Sequence, residues 1–142
     1  MKTGQTPAYG TDDATFLAAG GIAGITRLVD AFYDIMDSNP SFSDIRGMHP
    51  QDLHVSRDKL ARFLCGWMGG PRRYREKYGP ITIPGAHAHL GVTEKERDQW
   101  LGCMAQALAL QAYDASLVEY LLAQLFVPAE RIRQVNAKAK SG

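Results

Sequence analysis

Apolar residues recur at helical spacing along most of this chain, and that periodicity constrains the fold more than any other feature. The clearest stretch has apolar residues on one helix face at Ile22, Ile25, Leu28, Val29, Phe32, Ile35 and Met36. This spacing is typical of an amphipathic helix, and Ser38-Asn39-Pro40 is predicted to end it. No segment alternates apolar and polar residues as a half-buried strand does. The chain is therefore predicted to be all-α, with about five main helices.

The first half of the chain is predicted to contain a terminal arm and the start of a single domain. The 142 residues are enough for one domain with a core of its own. Residues 1–11 are rich in Gly, Thr, Gln and Pro and are predicted to form a flexible arm, and residues 12–142 form the domain. Helices are predicted at residues 14–19 and at about 56–68, with turns and loop over residues 41–54.

Glycine and proline divide the second half of the chain. Gly69-Gly70-Pro71 is predicted to end a helix abruptly, because glycine permits positive φ or a close backbone approach. Residues 79–86 contain two prolines and cannot form a regular helix. Thr93 and Glu96 form a capping box that starts the next helix. Pro128 is expected to kink or interrupt the last helix.

Composition excludes several classes of protein. The formal charge is +1, so no strong field favours nucleic acid or an anionic membrane. No apolar run is long enough for a membrane span, and no secretory apolar region follows Met1. Cys65 and Cys103 lack a Cys-x-x-Cys spacing and are interpreted as reduced, buried thiols. The expected location is the cytoplasm.

A histidine pair, His87-Ala88-His89, lies between a Pro/Gly-rich loop and the capped helix. Neutral imidazole is the commonest protein ligand for transition metals and haem iron. A two-histidine metal site is poorly supported, because no Cys or acidic cluster lies at ligand spacing nearby. A lone histidine in the core or on the surface is the more frequent case, and the residues alone leave both alternatives open.

Over roughly residues 12–137 the chain resembles the truncated haemoglobins, and most closely the second group of that family, by four landmarks in order along the chain. The landmarks are the pair Phe32-Tyr33, the run Gly69-Gly70-Pro71-Arg72-Arg73-Tyr74, the histidine His87, and the run Glu96-Arg97-Asp98-Gln99-Trp100-Leu101-Gly102-Cys103-Met104. The last run, in fixed register with His87, is the most specific part. The resemblance implies a globin-like fold, a truncated two-over-two helical sandwich, with haem b as the cofactor.

The resemblance also implies a role for each matching residue. His87 is expected to be the proximal iron ligand. Tyr33 and Trp100 are expected to donate hydrogen bonds on the distal side, where dioxygen bound to haem iron carries partial negative charge. His49, Ser56 and Leu60 align with other distal positions, and we expect His49 to make the distal network pH-sensitive. The expected cofactor contacts are Phe32, Lys59, Phe63, Tyr74, Leu90 and Met104, with Lys59 and Tyr74 for the propionates.

The chain departs from the family around the proximal histidine. Pro84 and Ala86 replace two arginines of the family, so the propionate contacts that those arginines make are missing from this segment. His89-Leu90 replaces the usual Pro-Phe after the ligand, so haem packing differs there as well.

Three functions from different classes remain in view. The first is a haem protein that binds or transports dioxygen and other diatomic ligands. The second is a redox enzyme, a peroxidase or a nitric oxide dioxygenase, served by a separate reductase because the chain contains no flavin or nicotinamide domain. The third is a helical interaction domain without haem. A Soret absorption band in the purified protein would exclude the interaction domain without haem. Steady-state turnover with a reductant would distinguish the redox enzyme from the ligand-binding protein.

Overall fold

A computed structural model describes residues 8–80 and 91–141 of the chain. Its helices in chain order are α1 (Ala14–Ala18), α2 (Gly21–Ser38), a 3₁₀ turn (Pro40–Phe42), α3 (Ser43–Gly47), α4 (His54–Trp67), α5 (Arg73–Tyr78), α6 (Glu94–Ala109) and α7 (Ala115–Ser141). Within these two ranges there is no strand, so the all-α prediction is confirmed.

Two helix pairs form the body of the fold. Helix α2 packs against both α4 and α6, and α6 packs against α7. The buried side chains between them come from all four helices, and the largest are Ile25, Leu28, Phe32, Met36, Leu64, Met104, Leu108, Leu117 and Leu121. Apart from Ile22, which is exposed, the apolar stripe predicted on α2 is therefore the face that joins the two pairs, in the predicted two-over-two arrangement.

The segment expected to be turns and loop, residues 41–54, contains more helix than predicted. Pro40 lies at the first position of the 3₁₀ turn, and the Asn39 side chain accepts a hydrogen bond of 3.0 Å from the Ser41 amide. Phe42 and Ile45 are buried against the core. The prediction missed α3 because two apolar residues are too few to show a helical period.

Pro128 does not interrupt the last helix, which continues from Ala115 to Ser141. Of the two expected effects, the interruption is wrong and the kink stays a prediction, because proline removes one backbone donor. Leu121 and Leu125 are buried before Pro128, and Ile132 is partly buried after it. Packing on both sides therefore keeps the helical path.

The close backbone approach predicted at the end of α4 is confirmed. Gly69 has φ +93°, and a Cβ there would collide with the Asp12 carbonyl oxygen. A Cβ on Gly70 would collide with the Phe16 ring. The Phe16 amide donates to the Met68 carbonyl at 3.0 Å, so α1 lies directly on the end of α4.

Three other predictions concern local features. The capping box is confirmed, since the Thr93 amide donates to Glu96 Oε1 at 2.8 Å. Cys65 and Cys103 are free and buried, as interpreted. Tyr9 packs on Tyr120 with ring centroids 5.2 Å apart, so the end of the predicted arm contacts α7, while residues 1–7 lie outside the described residues. Among the helices that the model describes, none is both long and apolar enough to cross a membrane.

Candidate functional site

A cavity of about 460 Å³ lies among α2, α4, α6 and α7. This volume is within the range of ~300–1,000 Å³ that is usual for pockets that hold small molecules and cofactors. Most of its wall is apolar, with Ile45, Met48, Val55, Leu60, Phe63, Leu64, Val92, Leu125, Pro128, Ala129 and Ile132. An apolar slot with a few polar side chains is the environment that a flat, largely apolar cofactor requires.

The cavity brings together eight of the residues singled out in the sequence: Tyr33, His49, Ser56, Lys59, Leu60, Phe63, Tyr74 and Trp100. They come from four helices and from the loop after α3. The four on α4 follow the spacing i, i+3, i+4, i+7, which places them on one face of the helix. Residues far apart in the chain therefore surround one volume.

Phe32 and Met104, two expected cofactor contacts, do not line the cavity. Both are fully buried in the core. The Phe32 ring lies 4.9 Å from the Tyr33 ring and 5.2 Å from the Trp100 ring, centroid to centroid. Phe32 faces the α2–α6 interface, where Cys103 Sγ donates to its carbonyl at 3.2 Å. Phe32 therefore packs behind Tyr33 and Trp100, and the expected contacts of Phe32 and Met104 with the cofactor stay predictions.

The proximal residues lie outside the described part of the chain. Residues 81–90 include His87, His89 and Leu90, together with Pro84 and Ala86. The roles expected for them from the resemblance remain predictions.

Tyr33 is a protonated hydrogen-bond donor at the cavity wall. Its side chain is 4% exposed, and this burial raises the pKa of its phenol, against the smaller opposing effect of the Arg57 charge. The Tyr33 hydroxyl makes no hydrogen bond to the residues that the structure describes. Every fully buried side-chain oxygen or nitrogen of these residues has a hydrogen-bond partner. The Tyr33 hydroxyl is therefore not fully buried, and it is accessible from the cavity that Tyr33 lines.

Trp100 offers a second donor from the opposite helix pair. Its ring is partly buried and packs on Phe32. The indole N–H, which can only donate, has no hydrogen-bond acceptor among residues 8–80 and 91–141. Tyr33 on α2 and Trp100 on α6 thus bring two donor groups to the same cavity.

His49 is fixed by its backbone contact. The Nδ1 atom lies 2.7 Å from the Ile45 carbonyl oxygen, and a carbonyl only accepts, so Nδ1 carries the hydrogen. In the neutral ring, Nε2 is therefore an acceptor, and protonation converts it into a donor. The ring lies edge-on to Tyr33 with centroids 5.6 Å apart, so this change takes place beside the Tyr33 donor.

Helix α5 borders the cavity without an apolar anchor of its own, because none of its residues is buried. Asp58 on α4 holds it, accepting hydrogen bonds from the Tyr78 hydroxyl at 2.6 Å and from Lys77 Nζ at 2.8 Å. These contacts hold the pKa of the Asp58 carboxyl well below its usual value. The Tyr74 and Tyr78 rings pack at a tilt of 41° with centroids 5.0 Å apart, and Lys59 Nζ lies 5.3 Å from the Tyr78 ring centroid. The polar edge of the cavity is therefore an ordered cluster.

Sequence reasoning missed the contribution of α7 to the wall. Leu125, Pro128, Ala129 and Ile132 line the cavity at the spacing i, i+3, i+4, i+7. This spacing is the sequence signal that could have identified them. Arg97 also lines the cavity, and its Nη1 pairs with Glu130 of α7 at 2.9 Å.

Comparison with known proteins identifies the relatives of this chain. The family model described as "Bacterial-like globin" matches residues 14–133. The group 2 truncated hemoglobin YjbI of Bacillus subtilis (strain 168) is 30% identical over 118 residues, covering 82% of this chain and 87% of that protein.

Solved structures show the same fold. The cold-adapted truncated hemoglobin of the Antarctic marine bacterium Pseudoalteromonas haloplanktis TAC125 is similar with a TM-score of 0.80 and 30% identity, over 83% of this chain and 95% of that one. The group II 2-on-2 hemoglobin of Agrobacterium tumefaciens has a TM-score of 0.80 and 30% identity, over 94% and 98% of the two chains. This chain therefore belongs to the bacterial-like globin family, as a truncated haemoglobin of the second group, and globins of this kind are haem proteins that bind oxygen.

Proposed function

We propose that this globin holds haem b in the described cavity, with His87 as the proximal iron ligand, and binds dioxygen reversibly. The observation that carries the proposal is that Tyr33 and Trp100, two residues with donor side chains, line one cavity with a mostly apolar wall. The size and lining of the cavity fit a flat apolar cofactor with a polar edge.

The haem, when bound, would supply the iron at which a diatomic ligand attaches. The chain supplies the surroundings. Leu60 and Phe63 on α4 and Ile132 on α7 exclude water from the slot. Burial keeps the Tyr33 phenol protonated, so it donates to a ligand that carries partial negative charge. The Trp100 N–H is the second donor, and Ser56 adds a small polar group on the same wall.

The polar edge is proposed to bind the propionates. Lys59 supplies a cation and Tyr74 a phenol hydroxyl, both suited to a carboxylate. Pro84 and Ala86 carry neither charge nor donor side chain, so the edge formed by α4 and α5 takes a larger share of this task than in relatives with arginines there. Leu90 is proposed to pack against the haem on the proximal side.

Two further details of the proposal rest on cysteine usage. The chain has no Cys-x-x-Cys-His attachment sequence, which favours non-covalent haem b. Cys65 and Cys103 are free thiols, and burial raises the pKa of the Cys103 thiol to about 12. Unpaired thiols are typical of a reducing compartment, so the cytoplasm is the proposed location.

Steady-state assays test whether the protein binds ligand or turns it over. The haem-loaded protein is supplied with a reductant and either hydrogen peroxide or nitric oxide, and free haem serves as the control. We expect reversible ligand binding and no turnover above free haem. Sustained turnover would favour the peroxidase or nitric oxide dioxygenase alternative, with a separate reductase as partner.

His49 is predicted to make dioxygen release depend on pH. An ordinary histidine titrates near ~6.5. Protonation gives the His49 ring a donor at both nitrogens, so release at the acid end of the range is expected to slow by about fivefold, which corresponds to one net hydrogen bond of ~1 kcal/mol. His49→Phe should bind haem but lose this change, as measured by stopped-flow release between pH 5 and pH 8 (about 1.5 units on either side of that value).

The matched control is His54→Asn, which removes an exposed imidazole at the start of α4. We expect it to retain the full pH dependence. If His49→Phe keeps the full pH dependence, His49 has no part in the distal network. Loss of the dependence in His54→Asn would then assign it to His54.

A further inference from the structure

Arg57, in the first part of α4, lies over the face of the Tyr33 ring. Its guanidinium carbon is 5.9 Å from the ring centroid, within the ~6 Å at which a cation and an aromatic ring attract each other. Phe32 and His49 approach the same ring edge-on. The Tyr33 ring is therefore enclosed by two aromatic rings and one cation.

The position of the guanidinium is set by α2, the helix that carries Tyr33. Arg57 Nη1 donates to Asp30 Oδ1 at 3.1 Å and to the Asp30 carbonyl at 3.2 Å, and Nη2 donates to Asp34 Oδ1 at 2.7 Å. Asp30 and Asp34 are one turn apart, and Tyr33 lies between them in the chain. A planar guanidinium held at both terminal nitrogens, Nη1 and Nη2, has little freedom to leave the face of the Tyr33 ring.

This anchored charge has two effects on Tyr33. The contact fixes the ring, so the hydroxyl is presented to the cavity in one orientation. The positive charge also opposes the effect of burial on the phenol, which makes the O–H more polarised and a better donor. The Arg57 side chain is 29% exposed, so solvent screens part of its charge.

We infer that Arg57 is a positioning residue for Tyr33, whose cation, held by Asp30 and Asp34, orients and polarises the distal hydroxyl. The inference rests on the proposed role of Tyr33 as a donor to the ligand. It assigns a ligand-binding effect to a charged residue of α4 that is not among the residues lining the cavity.

The test compares dioxygen release from haem-loaded Arg57→Met with release from Arg62→Met. Arg62 lies on the same helix and is also paired with an aspartate, Asp58, at 3.0 Å, but it does not contact Tyr33. We expect Arg57→Met to speed release by about two- to fivefold, the range that a partly exposed cation–π contact supports, and Arg62→Met to leave it unchanged. Equal effects of the two variants would overturn the inference.

A double-variant comparison shows whether Arg57 acts through Tyr33. In a Tyr33→Phe background, Arg57→Met should add nothing to the release rate. The same acceleration in both backgrounds would overturn the inference. If Tyr33→Phe alone has no effect, the proposed distal donor fails, whereas a Tyr33→Phe effect without an Arg57→Met effect contradicts only the positioning role.

A spectroscopic readout separates this role from simple stabilisation. In the carbon monoxide form, Arg57→Met should shift the NMR ring signals of Tyr33, assigned by their loss in Tyr33→Phe, and Arg62→Met should not. Arg57→Lys, which keeps the charge, should release dioxygen more slowly than Arg57→Met, and equality would contradict a role for the charge. If Arg57→Met does not fold, Asp34→Ala removes the acceptor that anchors Nη2 at 2.7 Å and should also speed release, and an unchanged rate would overturn the inference.

Discussion

His87→Ala is expected to lose most of its haem, whereas His89→Ala keeps it. His87 precedes Trp100 by thirteen residues, the spacing that the resemblance to the family rests on. No other residue of this chain matches the family's proximal ligand. Loss of an iron ligand should weaken haem binding by about 100-fold or more, since even the outer-sphere partners of metal ligands contribute 10–100-fold. Haem absorbance per protein after identical purification measures the difference.

His89→Ala is the matched control, because it removes an imidazole only two residues away. Retention of haem by His87→Ala together with its loss from His89→Ala would reverse the assignment of the ligand. Exogenous imidazole added to His87→Ala should restore part of the haem spectrum, as it replaces the missing side chain.

Tyr33→Phe and Trp100→Phe are each expected to speed dioxygen release. Each change removes a donor to a partly charged ligand, a bond worth ~1.5–3 kcal/mol, which corresponds to at most roughly a hundredfold in rate. Both donors face the same cavity, so the double variant should show less than the product of the two effects. Stopped-flow release of dioxygen from the ferrous protein gives all three rates.

Two controls remove the same groups elsewhere in the fold. Tyr113→Phe deletes a hydroxyl that donates to the Ala19 carbonyl at 2.8 Å, and Trp67→Phe deletes an indole outside the cavity wall. Neither is expected to change the release rate. Unchanged rates in both Tyr33→Phe and Trp100→Phe would contradict the distal-donor model.

Helix positions and their buried faces were predictable because each depends on local spacing. The apolar stripe of α2 and the capping box of Thr93 and Glu96 are examples, and the structure contains both. Helix α3 escaped prediction because five residues are too short for a period to be visible. The continuity of α7 through Pro128 depends on packing against other helices, which no local pattern records.

Residues of the candidate site were predictable from the sequence where they match a landmark of the family. They were less predictable where the packing of helices determines which side chain reaches the cavity. Tyr33 and Trp100 were singled out and line the cavity, but Phe32 lies behind the wall, a distinction of one position on α2. In the sequence, Arg57 is one of three consecutive charged residues near the start of α4, and nothing local distinguishes it. Its position over the Tyr33 ring depends on the packing of α2 against α4. Such a tertiary contact is not recorded in any local sequence pattern.

The most direct test of the central claim is the absorbance spectrum of the purified full chain after haem is added at one equivalent. The account predicts a Soret band that co-elutes with the protein, and on reduction and exposure to dioxygen a reversible change to an oxygenated spectrum. A chain that is helical by circular dichroism but retains no haem, or one whose ferrous haem spectrum does not respond to dioxygen, would contradict it.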